Sequence, residues 1–177
     1  MRELMTAWSL HRVRELDEAQ IDGLADVLID CVEGGASVSF MHPLSRDRAR
    51  AFWRGVAQTV TSGERALLLA EDARGPCGTV QLALAQPENQ PHRADLSKML
   101  VHRRARRQGL GAALLRAAEA TARECGKTLL VLDTASDDAE RLYARLGWIR
   151  VGVIPDYALL PRGGLCDTTV YYRNLGE

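Results

Sequence analysis

Apolar positions change their spacing several times along this chain, and each change marks an element. Trp8 to Leu16 is short and mixed, and reads as a first strand. Ile21, Leu24, Ala25, Leu28 and Val32 then recur every three or four residues, the stripe of an amphipathic helix. Asp17 ahead of them, with Gln20 three residues later, has the form of a reciprocal cap, and Gly34 with Gly35 ends the run. After the loop ASVSFMHPL, a second stripe of Ala49, Phe52, Trp53, Val56 and Val60 predicts another helix. Ser45 or Asp47 caps it and Gly63 closes it.

The period then shortens. Arg65 to Glu71 and Gly78 to Ala85 read as strands joined by DARGPC, a hairpin connection. QPENQPH breaks the series, and Ala94 to Val101 continues it. Leu110 to Cys125 is helical, with Leu110, Leu114, Ala117 and Thr121 inward and Arg116, Glu119 and Arg123 outward. Thr128 to Thr134 holds a continuous apolar run, as a strand covered on both faces would. Asp137 to Leu146 is a short helix backed by Gly147, and WIRVGVI and TTVYYRN close the chain as strands. Two hairpins and a strand–helix–strand crossover imply an α/β fold, a single domain over residues 1–177 built on a mixed sheet with flanking helices.

Composition narrows this picture without redirecting it. A chain of 177 residues with 46% hydrophobic and 26% charged residues can bury a core without staples. Lys+Arg and Asp+Glu are both 23, so an anion site must be local rather than a property of the whole surface. Cys31, Cys77, Cys125 and Cys166 stand far apart, which favours free thiols in a reducing cytoplasm. The amino-terminal MRELMTAWSLHRV lacks the apolar core of an export signal, and no run reaches membrane-spanning length. The expectation is a cytoplasmic protein with no membrane or nucleic-acid partner.

One stretch departs from ordinary patterning. HRRARRQGLGAALL, from His102 to Leu115, places Arg103, Arg104, Arg106 and Arg107 just before two glycines. Like charges this close repel, so a negative group is expected against them. The stretch leaves a strand and enters a helix, whose first N–H groups hold anions. Gly109 and Gly111 leave the backbone open to approach, and Arg106 and Arg107 can bond phosphate oxygens. A pyrophosphate suits this arrangement; a solvated basic surface is the other reading. GxxxxGK[ST] is absent, the dinucleotide glycine pattern is incomplete, and interleaved aromatics for nucleic acid are missing.

Arg106-Arg107-Gln108-Gly109-Leu110-Gly111 resembles the [QR]-x-x-G-x-[GA] signature of the GNAT acetyltransferase superfamily. Ala139, Tyr143, Gly147 and Trp148 fall where that family's A-x-x-x-Y-x-x-x-G-[FW] helix has them, and the element order agrees over nearly the whole chain. The resemblance implies a GNAT-like fold, acetyl-CoA as co-substrate, no metal, and a small-molecule amine as acceptor, and it leaves a homodimer open. It implies cofactor contacts at Met99, Leu100 and Val101, over Arg106, Arg107, Gln108, Gly109, Leu110, Gly111 and Ala112, and at Ala139. Ser37, Ser39 and Phe40, by the same resemblance, line the acceptor pocket. Ser136 stands seven positions before Tyr143, where many members have asparagine, so a cofactor contact there is not carried over.

Acetyl transfer to an amine requires removal of a proton, stabilisation of oxygen charge and protonation of a departing thiolate. Asp95 and Asp133 are the candidate bases. Asp133 emerges from an apolar run at a strand's C-terminal end, where partial burial would suit it to the task. The plainer reading makes Asp95 an edge charge and Asp133 a turn cap. Tyr143 is the candidate acid, because a phenol at about 10 lies above a thiol at about 8.5 and stays protonated until needed; simple core packing is its alternative. The resemblance adds backbone N–H groups at Leu100 or Val101 as donors to the acetyl oxygen. His42 and His102 share no metal-binding spacing, and Cys125 reads as packing. A protein amine as acceptor, and a CoA-binding module without catalysis, are the competing functions.

Overall fold

The computed structural model describes residues 8–176; the first seven residues, which begin the segment read above for targeting, and Glu177 lie outside the described residues. Helices α1 (Glu18–Glu33) and α2 (Arg46–Thr61) follow strand β1 (Ser9–Val13). Strands β2 (Arg65–Asp72), β3 (Gly75–Ala83) and β4 (Arg93–Val101) come next, then a single 3₁₀ turn at Arg103–Ala105 and α3 (Leu110–Glu124). The chain ends with β5 (Leu129–Thr134), α4 (Asp137–Arg145), β6 (Ile149–Leu159) and β7 (Leu165–Asn174). The strands form one mixed sheet in the order β1-β2-β3-β4-β5-β7-β6, and only β4 and β5 run parallel.

Two apolar clusters sandwich the sheet. The α1 and α2 stripes pack with Leu67, Leu69 and Leu100, while α3, Tyr143 and Trp148 pack with Ala66, Leu68, Ala70, Val80 and Leu82. Alternate residues of β2 therefore feed opposite cores, and β2 and β3 are both buried on their two faces. Strand β5 was expected in that role, but only Leu130 and Leu132 are buried; Leu129 and Val131 are half-exposed, because neither α1 nor α2 reaches this far across the sheet.

The caps form as their residues dictate. Asp17 accepts the Gln20 N–H at 2.7 Å while the Gln20 side chain accepts from Asp17, and Ser45, not Asp47, caps α2. The β2–β3 hairpin is tighter than DARGPC suggests, since β2 runs to Asp72 and β3 begins at Gly75. Ala117 is half-buried, and Glu119 faces inward instead of outward. Its carboxylate accepts the Trp148 indole N–H at 3.1 Å, a partner that offsets the cost of burying the charge. Phe52 is likewise half-buried, its ring edge-on to Phe40 at 5.2 Å.

Candidate functional site

The four arginines after β4 do two different jobs. Arg103 gives its backbone N–H to the buried carboxylate of Asp30 at 2.9 Å and also pairs with it through Nε. Arg104 pairs with Asp72 at 2.8 Å and donates to the Pro76 carbonyl at 2.6 Å. The protein itself thus supplies the negative groups expected against this half of the run, which leaves Arg106 and Arg107 as the pair assigned to phosphate oxygens. Arg106 and Arg107 are exposed. Arg106 Nε donates to the Val101 carbonyl at 3.0 Å, with Asp30 at 3.9 Å, and Arg107 makes no ion pair among the described residues. His102 accepts the Arg104 N–H through Nδ1 at 3.1 Å, which makes it a cap for the turn.

Arg107 and Gly109 both have positive φ, 59° and 78°, which turns the chain sharply into α3. Gly109 is the helix N-cap and offers no side-chain cap, so the first-turn N–H groups stay available to a ligand. Open space surrounds the position a Cβ would take there. Gly111 differs from its reading as a second open backbone position, because a Cβ there would lie 3.1 Å from Leu142 Cδ2 on α4. The Leu142 side chain of α4 packs close against it. Leu110 buries its side chain in the core, leaving only its backbone to a ligand, and Gln108 donates to the Arg104 carbonyl at 3.0 Å. Ala112 is half-buried on the same first turn.

Beside this loop the sheet opens. Strand β4 pairs with β5 only through Arg93–Asp95 and Leu129–Val131, and then the two part. Lys98 has φ of 51° at a shift in the β3–β4 register, so the second half of β4, with Met99, Leu100 and Val101, bends away from β5. Ala139 and Tyr143 on α4 lie over the opposite face of the sheet. Tyr143 is buried, with the rings of Trp148 and Tyr171 each at 5.7 Å, and its hydroxyl makes no hydrogen bond among the described residues. Burial, aided by the charge of Asp133, pushes this phenol well above its ordinary range. Ser136 spends its hydroxyl on the Ala139 N–H at 3.3 Å as the cap of α4.

A cleft of about 290 Å³ lies at the end of β5, and Ser37, Ser39, Phe40 and Asp133 all line it. Asp133 is exposed rather than partly buried, and accepts the Thr168 hydroxyl at 2.7 Å. Asp95 stands elsewhere on β4: it pairs with Arg93 and accepts from Gln86 at 3.2 Å, and does not line the cleft. The far wall comes from β6 and β7, including Tyr157, Cys166 and Thr168, which sequence reasoning missed. Tyr157 is carried by a bulge where the β6–β7 register shifts and Asp156, at φ 51°, donates its N–H to Asp167 at 3.0 Å. The Pro155-Asp156 dipeptide inside an apolar run was the available signal. The walls are joined: His42 N–H donates to the Pro161 carbonyl at 2.8 Å and Arg162 to the Glu33 carbonyl at 2.8 Å.

Comparison with known proteins bears on this geometry. The model of the acetyltransferase (GNAT) family matches residues 31–148, well over half of the chain. The chain belongs to the GNAT acetyltransferase family. The GNAT sheet and its flanking helices also recur in solved structures. The yncA protein of Salmonella typhimurium, solved with acetyl-CoA, superimposes with a TM-score of 0.76 at 21% identity, over 97% of this chain and 95% of that one. A phosphinothricin acetyltransferase from Sinorhizobium meliloti, in complex with acetyl-CoA, gives 0.77 at 19% identity over 97% and 90%. A ribosomal-protein-alanine N-acetyltransferase from Brucella melitensis gives 0.77 at 20% identity over 94% and 99%. No group of three or more His, Cys, Asp or Glu side chains suited to a metal occurs among the described residues, and no helix there is long and apolar enough to cross a membrane.

Proposed function

We propose that this GNAT enzyme moves the acetyl group of acetyl-CoA directly onto an amine of a small molecule, with Asp133 as base and Tyr143 as acid. The observation that carries this reading is the cleft itself. It gathers Asp133 with Ser37, Ser39 and Phe40 beside the gap where β4 leaves β5, in a volume of about 290 Å³ suited to a small acceptor.

The residues present fit acetyl-CoA. Arg106 and Arg107 are exposed cations at a helix start with free N–H groups, and Gly109 leaves open space for approach. They, with Gln108 and the backbone of Leu110, Gly111 and Ala112, would hold the pyrophosphate. The bent edge of β4 at Met99–Val101 and the half-buried Ala139 would border the pantetheine arm. When bound, acetyl-CoA supplies an activated acetyl thioester. Asp133 takes the proton the acceptor nitrogen must lose, and Thr168 orients that carboxylate. Tyr143 holds a proton on an unbonded hydroxyl, which its raised pKa keeps in place until the departing sulfur takes it. Backbone N–H groups at Leu100 or Val101 donate to the acetyl oxygen as its charge grows. Asp95, fastened to Arg93, supports the start of β4 more directly than the chemistry.

Four segments support a small toxin-like or antibiotic-like acceptor, because they resemble the tabtoxin resistance protein: GGASVSFM, RADLSKMLV, LLVLDT and the tail from Arg150 through Leu175. The likeness to a phosphinothricin acetyltransferase points the same way, whereas the Brucella relative keeps a protein amine as the second reading. An acceptor screen that follows thiol release from acetyl-CoA tests the proposal. Small amines should release thiol and peptide amines should not; release with peptide amines alone would overturn it, and no release with any acceptor would favour a CoA-binding module.

A further inference from the structure

Resting on the reading of Tyr143 as the acid, we propose that Glu119 and Glu140 are its positioning residues: each pins one of the two aromatic rings packed against Tyr143, and together they aim its hydroxyl.

The Tyr143 hydroxyl has no hydrogen bond of its own among the described residues, so its direction is set by what its ring packs against. Two rings do this, Trp148 and Tyr171, each at 5.7 Å and each tilted by 49° to the phenol. Both carry a polar tip, and each tip ends on a carboxylate from a different helix. The Trp148 indole N–H donates to Glu119 of α3 at 3.1 Å. The Tyr171 hydroxyl donates to Glu140 of α4 at 2.8 Å, and the Thr169 hydroxyl donates to the other oxygen of that carboxylate at 2.9 Å. Trp148 is fastened a second time through its backbone. Arg173, 3.7 Å from Glu119, donates to the carbonyl of Gly147, the residue just before Trp148, at 2.7 Å.

Core packing alone does not call for these carboxylates. Phenylalanine at 148 and 171 would fill most of the same space with no polar atom to satisfy, and leucine at 119 would leave no charge to desolvate. Yet Glu119, Trp148 and Tyr171 are all buried with their polar atoms paired. A hydrogen bond at a ring's tip fixes the rotation that apolar contacts leave loose. Tyr143 has no such bond, so it takes its orientation from two neighbours that do. The pins come from separate helices and converge on this one residue. That arrangement suits a proton donor, because a reacting group misplaced by about 1 Å can lose about a hundredfold in rate.

Two measurements test this. The first is a mutant cycle that reads kcat for acetyl transfer, KM for the acceptor and acetyl-CoA affinity, with melting curves to check folding. Tyr171→Phe, which removes a single oxygen and frees the ring from Glu140, and Glu119→Leu should each lower kcat roughly ten- to a hundredfold while KM and acetyl-CoA affinity hold. Glu119→Gln keeps an oxygen that accepts the indole N–H and should recover most of what Glu119→Leu loses. In a Tyr143→Phe background the same substitutions should cost nothing further, because a residue that acts through Tyr143 has nothing left to position. Unchanged kcat in both single variants, or full-sized losses in the Tyr143→Phe background, overturns the proposal; if Glu119→Leu does not fold, Tyr171→Phe decides it. The second is NMR of the protein with isotope-labelled tyrosine rings, the Tyr143 signals being assigned through Tyr143→Phe. The two edges of the Tyr143 ring should give separate signals in the wild type and merge in Tyr171→Phe as the ring turns faster. Merged signals in the wild type, or separate signals that persist in the variant, overturn the proposal. If Tyr143→Phe turns over normally, the acid reading fails, while the ring signals still decide whether the carboxylates hold Tyr143.

Discussion

A phenol wedged between two aromatic rings keeps its proton, and Tyr143 shows how a residue's surroundings decide its role. Its pKa is raised by burial, so between the ordinary value of 10.0 and the folded-state value the native protein binds a proton that the unfolded chain has lost. The stability this group contributes is complete below pH 10 and falls as pH rises beyond it. Alkaline melting curves should therefore drop less steeply above pH 10 in Tyr143→Phe than in the wild type. The same variant should turn over more slowly, with a deficit that shrinks for acyl donors whose thiol leaves more readily. The burial of Tyr143 was legible because its helical spacing from Ala139 and Gly147 is local. Tyr157 was not, since it reaches the cleft through a register shift between β6 and β7 that neither strand's own pattern encodes, and Thr168 was not, since it meets Asp133 only because β7 pairs with β5.

Helix α1 connects the two halves of the site. Its buried Asp30 fastens Arg103 and with it the turn leading to Arg106 and Arg107, while the chain after Glu33 forms the cleft wall at Ser37–Phe40. Asp30→Asn should weaken acetyl-CoA binding in calorimetry without touching a phosphate itself, because the loop loses its anchor. The opening cap of the same helix is separable: Asp17→Ala should cost about 1 kcal/mol, a fall in melting temperature of about 2–4 °C for a chain this long, with acetyl-CoA affinity unchanged. The cap could be read from two residues three apart. Asp30 and Glu119 could not, since each sits in a helix whose charges normally face water, and the partners that draw them inward, Arg103 and Trp148, are distant in sequence.

For the whole molecule, the alternation of periods marked every helix and strand in order, because each element's apolar spacing is intrinsic to it. The strand order β5-β7-β6 and the parting of β4 from β5 are tertiary, and the cleft exists because of them. A ligand that binds only the folded state raises the melting temperature, by an amount that grows with the logarithm of its concentration above Kd, so acetyl-CoA should stabilise this protein. The most direct test of Asp133 as base compares acetyl transfer by the wild type, Asp133→Asn, and the Asp95/Asp133 double variant, with acetyl-CoA affinity measured on the same samples. Asp133→Asn should lower turnover roughly 10²–10⁴-fold while acetyl-CoA affinity hardly changes; near-normal turnover in both variants would contradict the role of Asp133 as base.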